Sequence, residues 1–335
     1  MRNRTWLVAL LALVALFAAA CSDVDEGGGG GGGGDGGTTA AAQCAGETIS
    51  IAVNPWTGSA ANANVAKVIM EQEMGCTVEL VEIEENAQFP AMSTGEIDAT
   101  LEIWPSGHAE DYATYIDGGQ GVVDVGELGV VGKIGWYVPT YLVEENPDIA
   151  TVEGLNANAS LFATAETGDL GQFLAGDPSF VSFDEEIIAS LGLDFQVVYA
   201  GSEAAILTAL KTAYEAQEPL LFYFYKPHWA FVDYDLTEVA LPEYTEECGA
   251  IAAQEDPTGY NCDYPQDVLY KALNEGMEES DPAAFAFLSS ISYTNAEQEA
   301  IAHLIDVESM SPEDAAAQWV GENEAVWSAW LPAAS

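Results

Sequence analysis

The chain has 335 residues, and 7 Lys and Arg stand against 55 Asp and Glu for a formal charge of −48. Such a field repels phosphate backbones, which excludes nucleic acid as a partner; it favours cationic solutes and also solubility, including solubility in a saline habitat. Arg2 and Arg4 are the only arginines, so the body cannot grip a carboxylate through a bidentate guanidinium fork and must use amides, hydroxyls, histidine or lysine.

Residues 1–20 read as a signal peptide. Arg2 and Arg4 form a basic start, and Trp6–Phe17 is an apolar run too short for a mature membrane span. Ala18-Ala19-Ala20-Cys21 resembles a bacterial lipobox, with Ala18 where leucine is usual. That likeness implies a lipidated Cys21 and a protein anchored to the outer face of the cell membrane through that lipid alone. The alternative is cleavage near Ala20 with Cys21 left as a free thiol. Residues 21–45 are glycine-rich and polar, the composition of a disordered tether spanning roughly 25–30 Å.

About 290 residues follow the tether, enough for two lobes or one large domain. With Cys21 assigned to lipid, Cys44, Cys76, Cys248 and Cys262 remain. An even count in an exported chain points to disulfides, and sequence proximity favours Cys44–Cys76 and Cys248–Cys262 among three possible pairings. No CxxC spacing occurs, so these four cysteines are not expected to hold a metal. No cofactor is expected.

In the body, Glu47–Asn54 alternates as a strand does, and a turn through Trp56, Thr57 and Gly58 leads into a helix over Ala60–Met74. Free amides at that helix start, near Thr57 and Gly58, suit one carboxylate. Thr77–Glu82 is a second strand, Phe89–Thr94 a short helix, and Glu96–Trp104 a third strand closed by Pro105. This β-α-β-α-β order predicts a parallel sheet with ligands at the carboxyl ends of its strands, where Trp56 and Trp104 stand. His108, near the start of a helical stretch to Tyr115, reads as a surface residue.

Val122–Pro139 holds another strand, with Trp136 and Tyr137. Ile149–Leu155 reads as a connector, 167–171 as a glycine-rich turn, Glu185–Leu191 as a helix and Phe195–Tyr199 as a strand. Ser202 caps a helix over Glu203–Ala216. Leu220–Leu236 then opens as a buried strand and breaks at Lys226-Pro227, with Tyr223 and Tyr225 before the break and His228 and Trp229 after it. Aromatic faces beside one titratable donor are what a cage for a quaternary ammonium needs, although the same residues could be core. From Pro265 onward the pattern predicts helices over Asp267–Glu278, Pro282–Ser289, Ala296–Ile305 after an Asn295 cap, and Glu313–Trp330. Trp319, Trp327 and Trp330 fall on one face of the last helix as core.

Asp98–Pro105 (DATLEIWP) and Tyr223–Trp229 (YFYKPHW) together resemble two motifs of the substrate-binding proteins of bacterial ABC importers for glycine betaine, proline betaine and choline. The likeness runs from about Ile49 to Leu331. It implies an α/β, two-lobed periplasmic-binding-protein-like fold of type II with the ligand in the inter-lobe cleft. Chain crossings are expected near 140–150 and 235–245, so that lobe 1 combines 46–144 with 240–335 and lobe 2 holds 145–239. It also implies a binding protein that is no enzyme, serving ABC permease subunits outside the cytoplasm.

The resemblance implies that Trp104 and Tyr225 face a trimethylammonium and that His228 holds a ligand carboxylate, which tilts the ligand toward glycine betaine over choline, carnitine or another small amine. Tyr225 replaces a more usual tryptophan, and no Trp occurs in 167–173, so the further wall falls to Trp56, Trp136, Tyr137 or Tyr141. Glu102 is a candidate for the cationic end. The rival reading, an exported lipid-anchored hydrolase, finds no Gly-x-Ser-x-Gly elbow and only His108, His228 and His303 as bases.

Overall fold

A computed structural model describes residues 41–252, 254 and 257–333. The expected signal peptide, the lipidation site Cys21 and all but the last residues of the tether lie outside the described residues.

Strand β1 (Thr48–Val53) leads into helix α1 (Thr57–Glu73), followed by β2 (Thr77–Glu82), helix α2 (Gln88–Thr94) and β3 (Ala99–Ile103). β1 pairs in parallel with both β2 and β3, so three carboxyl ends meet along one edge. The next strand, β4 (Val122–Pro139), is 18 residues long. Beyond it come β5 (Gly171–Ala175), α3 (Asp184–Leu191), β6 (Phe195–Tyr199), α4 (Glu203–Ala216), β7 (Phe222–Lys226), β8 (Leu236–Glu238) and β9 (Asp267–Asn274). Helices α5 (Pro282–Ser290), α6 (Asn295–Asp306) and α7 (Pro312–Glu322) follow.

The strands form one sheet in the order β2-β1-β3-β9-β4-β7-β5-β6, with β8 added on β4. β4 is the spine. From Val122 to Gly132 it pairs antiparallel with β9, and from Lys133 to Tyr137 it pairs antiparallel with β7. One half of the sheet therefore holds β1, β2, β3 and β9, and the other β5, β6, β7 and β8. Among the described residues no helix is long and apolar enough to cross a membrane.

Three expectations fail in the last third of the chain. Asp267–Glu278 is not a helix: Asp267–Asn274 is β9, filling the slot between β3 and β4. Leu, Lys and Ala favour a helix locally, but two strand edges supply a full ladder of backbone partners. The buried ammonium of Lys271 then donates to the Ser289 and Ile291 carbonyls at the end of α5. The cap of α6 is Thr294, in a reciprocal capping box with Glu297, while Asn295 bonds both backbone groups of Val131 on β4. The tail is not one helix either. It breaks at Asn323, and Trp319 and Trp330 stack across the break at 6.1 Å.

Cys44 is bonded to Cys76, and Cys248 to Cys262. The second bridge closes a loop within the long return from β8 to β9, where little secondary structure holds the chain. Constraining the unfolded state by a loop of this size is worth about 3 kcal/mol. Urea unfolding of the Cys248→Ala/Cys262→Ala double variant should therefore show a loss of about 2–4 kcal/mol with an unchanged fold by circular dichroism.

Candidate functional site

The carboxyl ends of β1, β2 and β3 face the β7 edge across a small cavity lined by Trp56, Glu85, Trp104, Ile134, Phe180, Val181, Tyr223 and Tyr225. Strand parity explains the β7 contribution. Tyr223 and Tyr225 are two residues apart and share a face, and Tyr225 lies opposite Ile134 in the β4–β7 register. Trp104 meets Tyr225 edge-on at 5.5 Å, Trp56 meets Phe180 edge-on at 5.7 Å, and Phe180 leans on Tyr223 at 6.0 Å. The rings thus brace one another around the cavity.

Glu102 fixes the two indoles. Its Oε1 accepts from Trp56 Nε1 at 2.8 Å and Trp104 Nε1 at 3.2 Å; its Oε2 accepts from Asn62 Nδ2 and Gln298 Nε2, both at 2.7 Å. The carboxylate is buried under the indoles. Gly58 permits this approach, since a Cβ there would lie 3.0 Å from Glu102 Oε2. A Cβ at Gly132 would lie 2.4 Å from the Trp104 ring, so that ring rests directly on the β4 backbone.

Glu85 is the lining residue that motif reading missed. Its Oε1 bonds His108 Nε2 at 3.0 Å, its Oε2 accepts from the Val181 N–H at 2.9 Å, and Asp111 holds the other His108 nitrogen at 2.8 Å. His108 is therefore no surface residue: it is buried as the counter-charge to two carboxylates. Phe180 was missed too. Both follow the carboxyl end of a parallel strand, β2 and β5, which is the one signal that could have found them.

Other expected residues are placed elsewhere. Tyr137 pairs with Phe222 on the opposite face of the sheet, packs on Phe231 at 4.8 Å and donates to Glu238. Trp136 lies against Phe173 at 4.6 Å and donates to Asp184 at 2.7 Å. Tyr141 donates to the Ala213 and Glu218 carbonyls. None of the three lines the cavity.

The donors expected to hold a ligand carboxylate face a carboxylate of the chain itself. The Thr57 N–H donates to Glu203 Oε1 at 3.2 Å, and the Tyr225 hydroxyl donates to Glu203 Oε2. His228 Nε2 stands 3.6 Å from Glu203 and 3.8 Å from Asp306, too far for a hydrogen bond, while its Nδ1 accepts from the Ala230 N–H at 3.1 Å. Glu203, His228 and Asp306 have the spacing of a cation site. The bond at Nδ1, however, keeps the ring proton on Nε2, the atom that would have to ligate a metal. Asp306 is engaged by Thr57 Oγ1 at 3.0 Å and Trp229 Nε1 at 2.7 Å.

Burial shapes the titration of the site. It raises the Glu102 carboxyl to about 7 against the opposing bonds from Trp56, Trp104 and Gln298, and raises Asp184 and Asp267 to about 6 each. Burial pulls His108 down, but its bonds to Asp111 and Glu85 outweigh that and carry it up to about 9. In all four cases the folded state binds more protons than the unfolded one between the two pKa values, so stability falls as pH rises through that window. Thermal melts at constant ionic strength should give a higher midpoint at about pH 5 than at about pH 9; a maximum on the alkaline side would contradict these assignments.

Residues 47–322 match the family model for the substrate-binding domain of ABC-type glycine betaine transport systems. A trimethylamine N-oxide-binding protein of Pelagibacter ubique is 28% identical over 288 residues, 83% of this chain and 89% of that one. A glycine betaine/L-proline-binding protein of Borrelia burgdorferi superposes with a TM-score of 0.69 at 20% identity, covering 85% of this chain and 97% of that one. A choline-binding protein in complex with choline gives 0.68 at 17% identity, covering 85% and 93%. The fold is thus the mixed α/β arrangement of type II periplasmic binding proteins. Such proteins bind a small molecule outside the cytoplasm, work with ABC permeases and are not enzymes. The chain belongs to the family of substrate-binding domains of ABC-type glycine betaine transport systems.

Proposed function

We propose that this protein captures a small methylated cation without a carboxylate, such as choline, in the cavity between Trp56, Trp104, Tyr223, Tyr225 and Phe180, and delivers it to its permease. The observation that carries this reading is the lining itself: aromatic faces and the Glu85 carboxylate, with no cationic side chain. Each desolvated ring face contributes up to about 2 kcal/mol to a cation that cannot donate a hydrogen bond. Glu85 can accept a further bond from a ligand hydroxyl. Tyr223 lines the same cavity, and its hydroxyl has no hydrogen-bond partner among the described residues, so it can donate. A betaine carboxylate would meet Glu85 as a like charge, and Thr57 and Tyr225 already serve Glu203. Trimethylamine N-oxide is the second reading, favoured by the Pelagibacter relative and by the Tyr223 donor.

In this reading the two halves of the sheet joined by β4 act as lobes that close on the ligand, with Val181 N–H on Glu85 as one closing contact. Isothermal titration with choline, trimethylamine N-oxide and glycine betaine tests it. Choline or the N-oxide should bind more tightly than betaine, and Trp104→Ala and Tyr225→Ala should each weaken that binding by about tenfold or more. Glu85→Gln should weaken choline while narrowing its advantage over betaine. Betaine binding that is tightest and indifferent to Glu85→Gln would overturn the choice of ligand.

The anchor belongs to the same proposal: Cys21 carries lipid and the glycine-rich stretch spaces the binding body from the membrane. Metabolic labelling with a tagged fatty acid in a bacterial host should mark the wild type and not Cys21→Ala; equal labelling would remove the anchor.

A further inference from the structure

We infer that Glu203 is a built-in carboxylate filling an anion subsite beside the aromatic cavity, and that it sets the protein against ligands carrying a carboxylate of their own. The inference rests on reading the cavity as a methylated-cation site, and it adds the residue that decides between two chemical classes of ligand.

The subsite is visible in the donors around Glu203. The first amide of the 17-residue α1 points at Oε1, the Tyr225 hydroxyl points at Oε2, and His228 Nε2 is aimed at the same carboxylate. His228 is 2% exposed, and its Nε2 has no hydrogen-bond partner among the described residues. The Thr57 amide of α1 and the Tyr225 hydroxyl of β7 therefore donate to one buried anion, the His228 imidazole stands 3.6 Å from it, and no lysine bonds it. Burial raises the Glu203 carboxyl, but His228, Tyr225 and Thr57 outweigh burial and hold it below its ordinary value, as a receptor for the charged form does. Asp306, on the other side of Nε2, has its own donors in Thr57 Oγ1 and Trp229 Nε1.

The position of Glu203 supplies the link to specificity. Tyr225 gives its ring to the cavity wall and its hydroxyl to Glu203, so cation site and anion subsite are one aromatic ring apart. That is the layout for a short zwitterion with a trimethylammonium at one end and a carboxylate at the other. Glu203, the first residue of α4 after the Ser202 cap, occupies the carboxylate end from within the chain. A free betaine then finds its anion receptor taken and a like charge beside it. Removing the side chain leaves the donors in place around a space that admits an external carboxylate.

The test is to titrate wild type and Glu203→Ala with choline and glycine betaine, and to melt both with and without formate. Glu203→Ala should gain betaine affinity by about tenfold or more, because a carboxylate regains charge-assisted bonds. Formate should raise the melting midpoint of Glu203→Ala and leave that of the wild type unmoved. A folded Glu203→Ala with unchanged betaine affinity and no response to formate overturns the subsite. Should Glu203→Ala not fold, Glu203→Gln keeps the shape and drops the charge: a rise of about threefold in betaine affinity supports the inference, and affinity equal to wild type sinks it. Failure of the wild type to bind any methylated amine would instead sink the reading of the cavity, while the formate melts still decide the subsite.

Discussion

Two tryptophan rings can face a cavity only if their buried N–H groups find acceptors on the other side, and one carboxylate answers for both. Glu102 takes the indole protons of Trp56 and Trp104 on one oxygen and the amides of Asn62 and Gln298 on the other. A buried carboxylate is costly unless its lone pairs are filled, and buried indoles are costly unless their protons are accepted; each arrangement offsets part of the penalty of the other. Gln298 sits on α6 and Asn62 on α1, so the orientation of the aromatic walls is tied to helices that pack behind the sheet. The two indoles are thereby held in place by hydrogen bonds from within one half of the sheet and its helices.

The electrostatics of the cavity follow from the same economy of cations. With five lysines in the body and no arginine, the fold counters its buried acids with hydrogen-bond donors and imidazoles. Glu85 leans on His108, Glu203 on Thr57, Tyr225 and His228, and Glu102 on four neutral N–H donors. Glu203, held against burial below its ordinary value by its donors, keeps a negative charge beside the aromatic wall. The desolvation of these carboxylates is already part of folding, so a cation entering the cavity meets an arranged environment with little reorganisation.

Trp136 and Tyr137 show how local reading misplaces a site. Both are aromatic, on a strand that borders the cavity, and adjacent in sequence. Strand parity puts Tyr137 on the far face, and Asp184 draws the Trp136 indole away. Neither the parity relative to β7 nor the position of Asp184 can be read from residues 122–139. β9 makes the same point for secondary structure, since its helix-forming residues became a strand between two open edges.

The sequence by itself determined the parallel β-α-β-α-β opening, the end-of-strand positions of Trp56 and Trp104, the strand-and-break carrying Tyr225, and the Ser202-capped helix. Each of these rests on local periodicity, on proline or on a cap, which act within a few residues. Only the tertiary structure decided what the polar groups do. Glu102 turned from a possible ligand contact into the support of two indoles, His108 from surface to buried counter-charge, and the donors at Thr57 and His228 from an open receptor into one facing Glu203. The bonds Glu85–His108, Thr57–Glu203 and Gln298–Glu102 join residues 23, 146 and 196 positions apart, and burial sets their strength, so no window of sequence contains them.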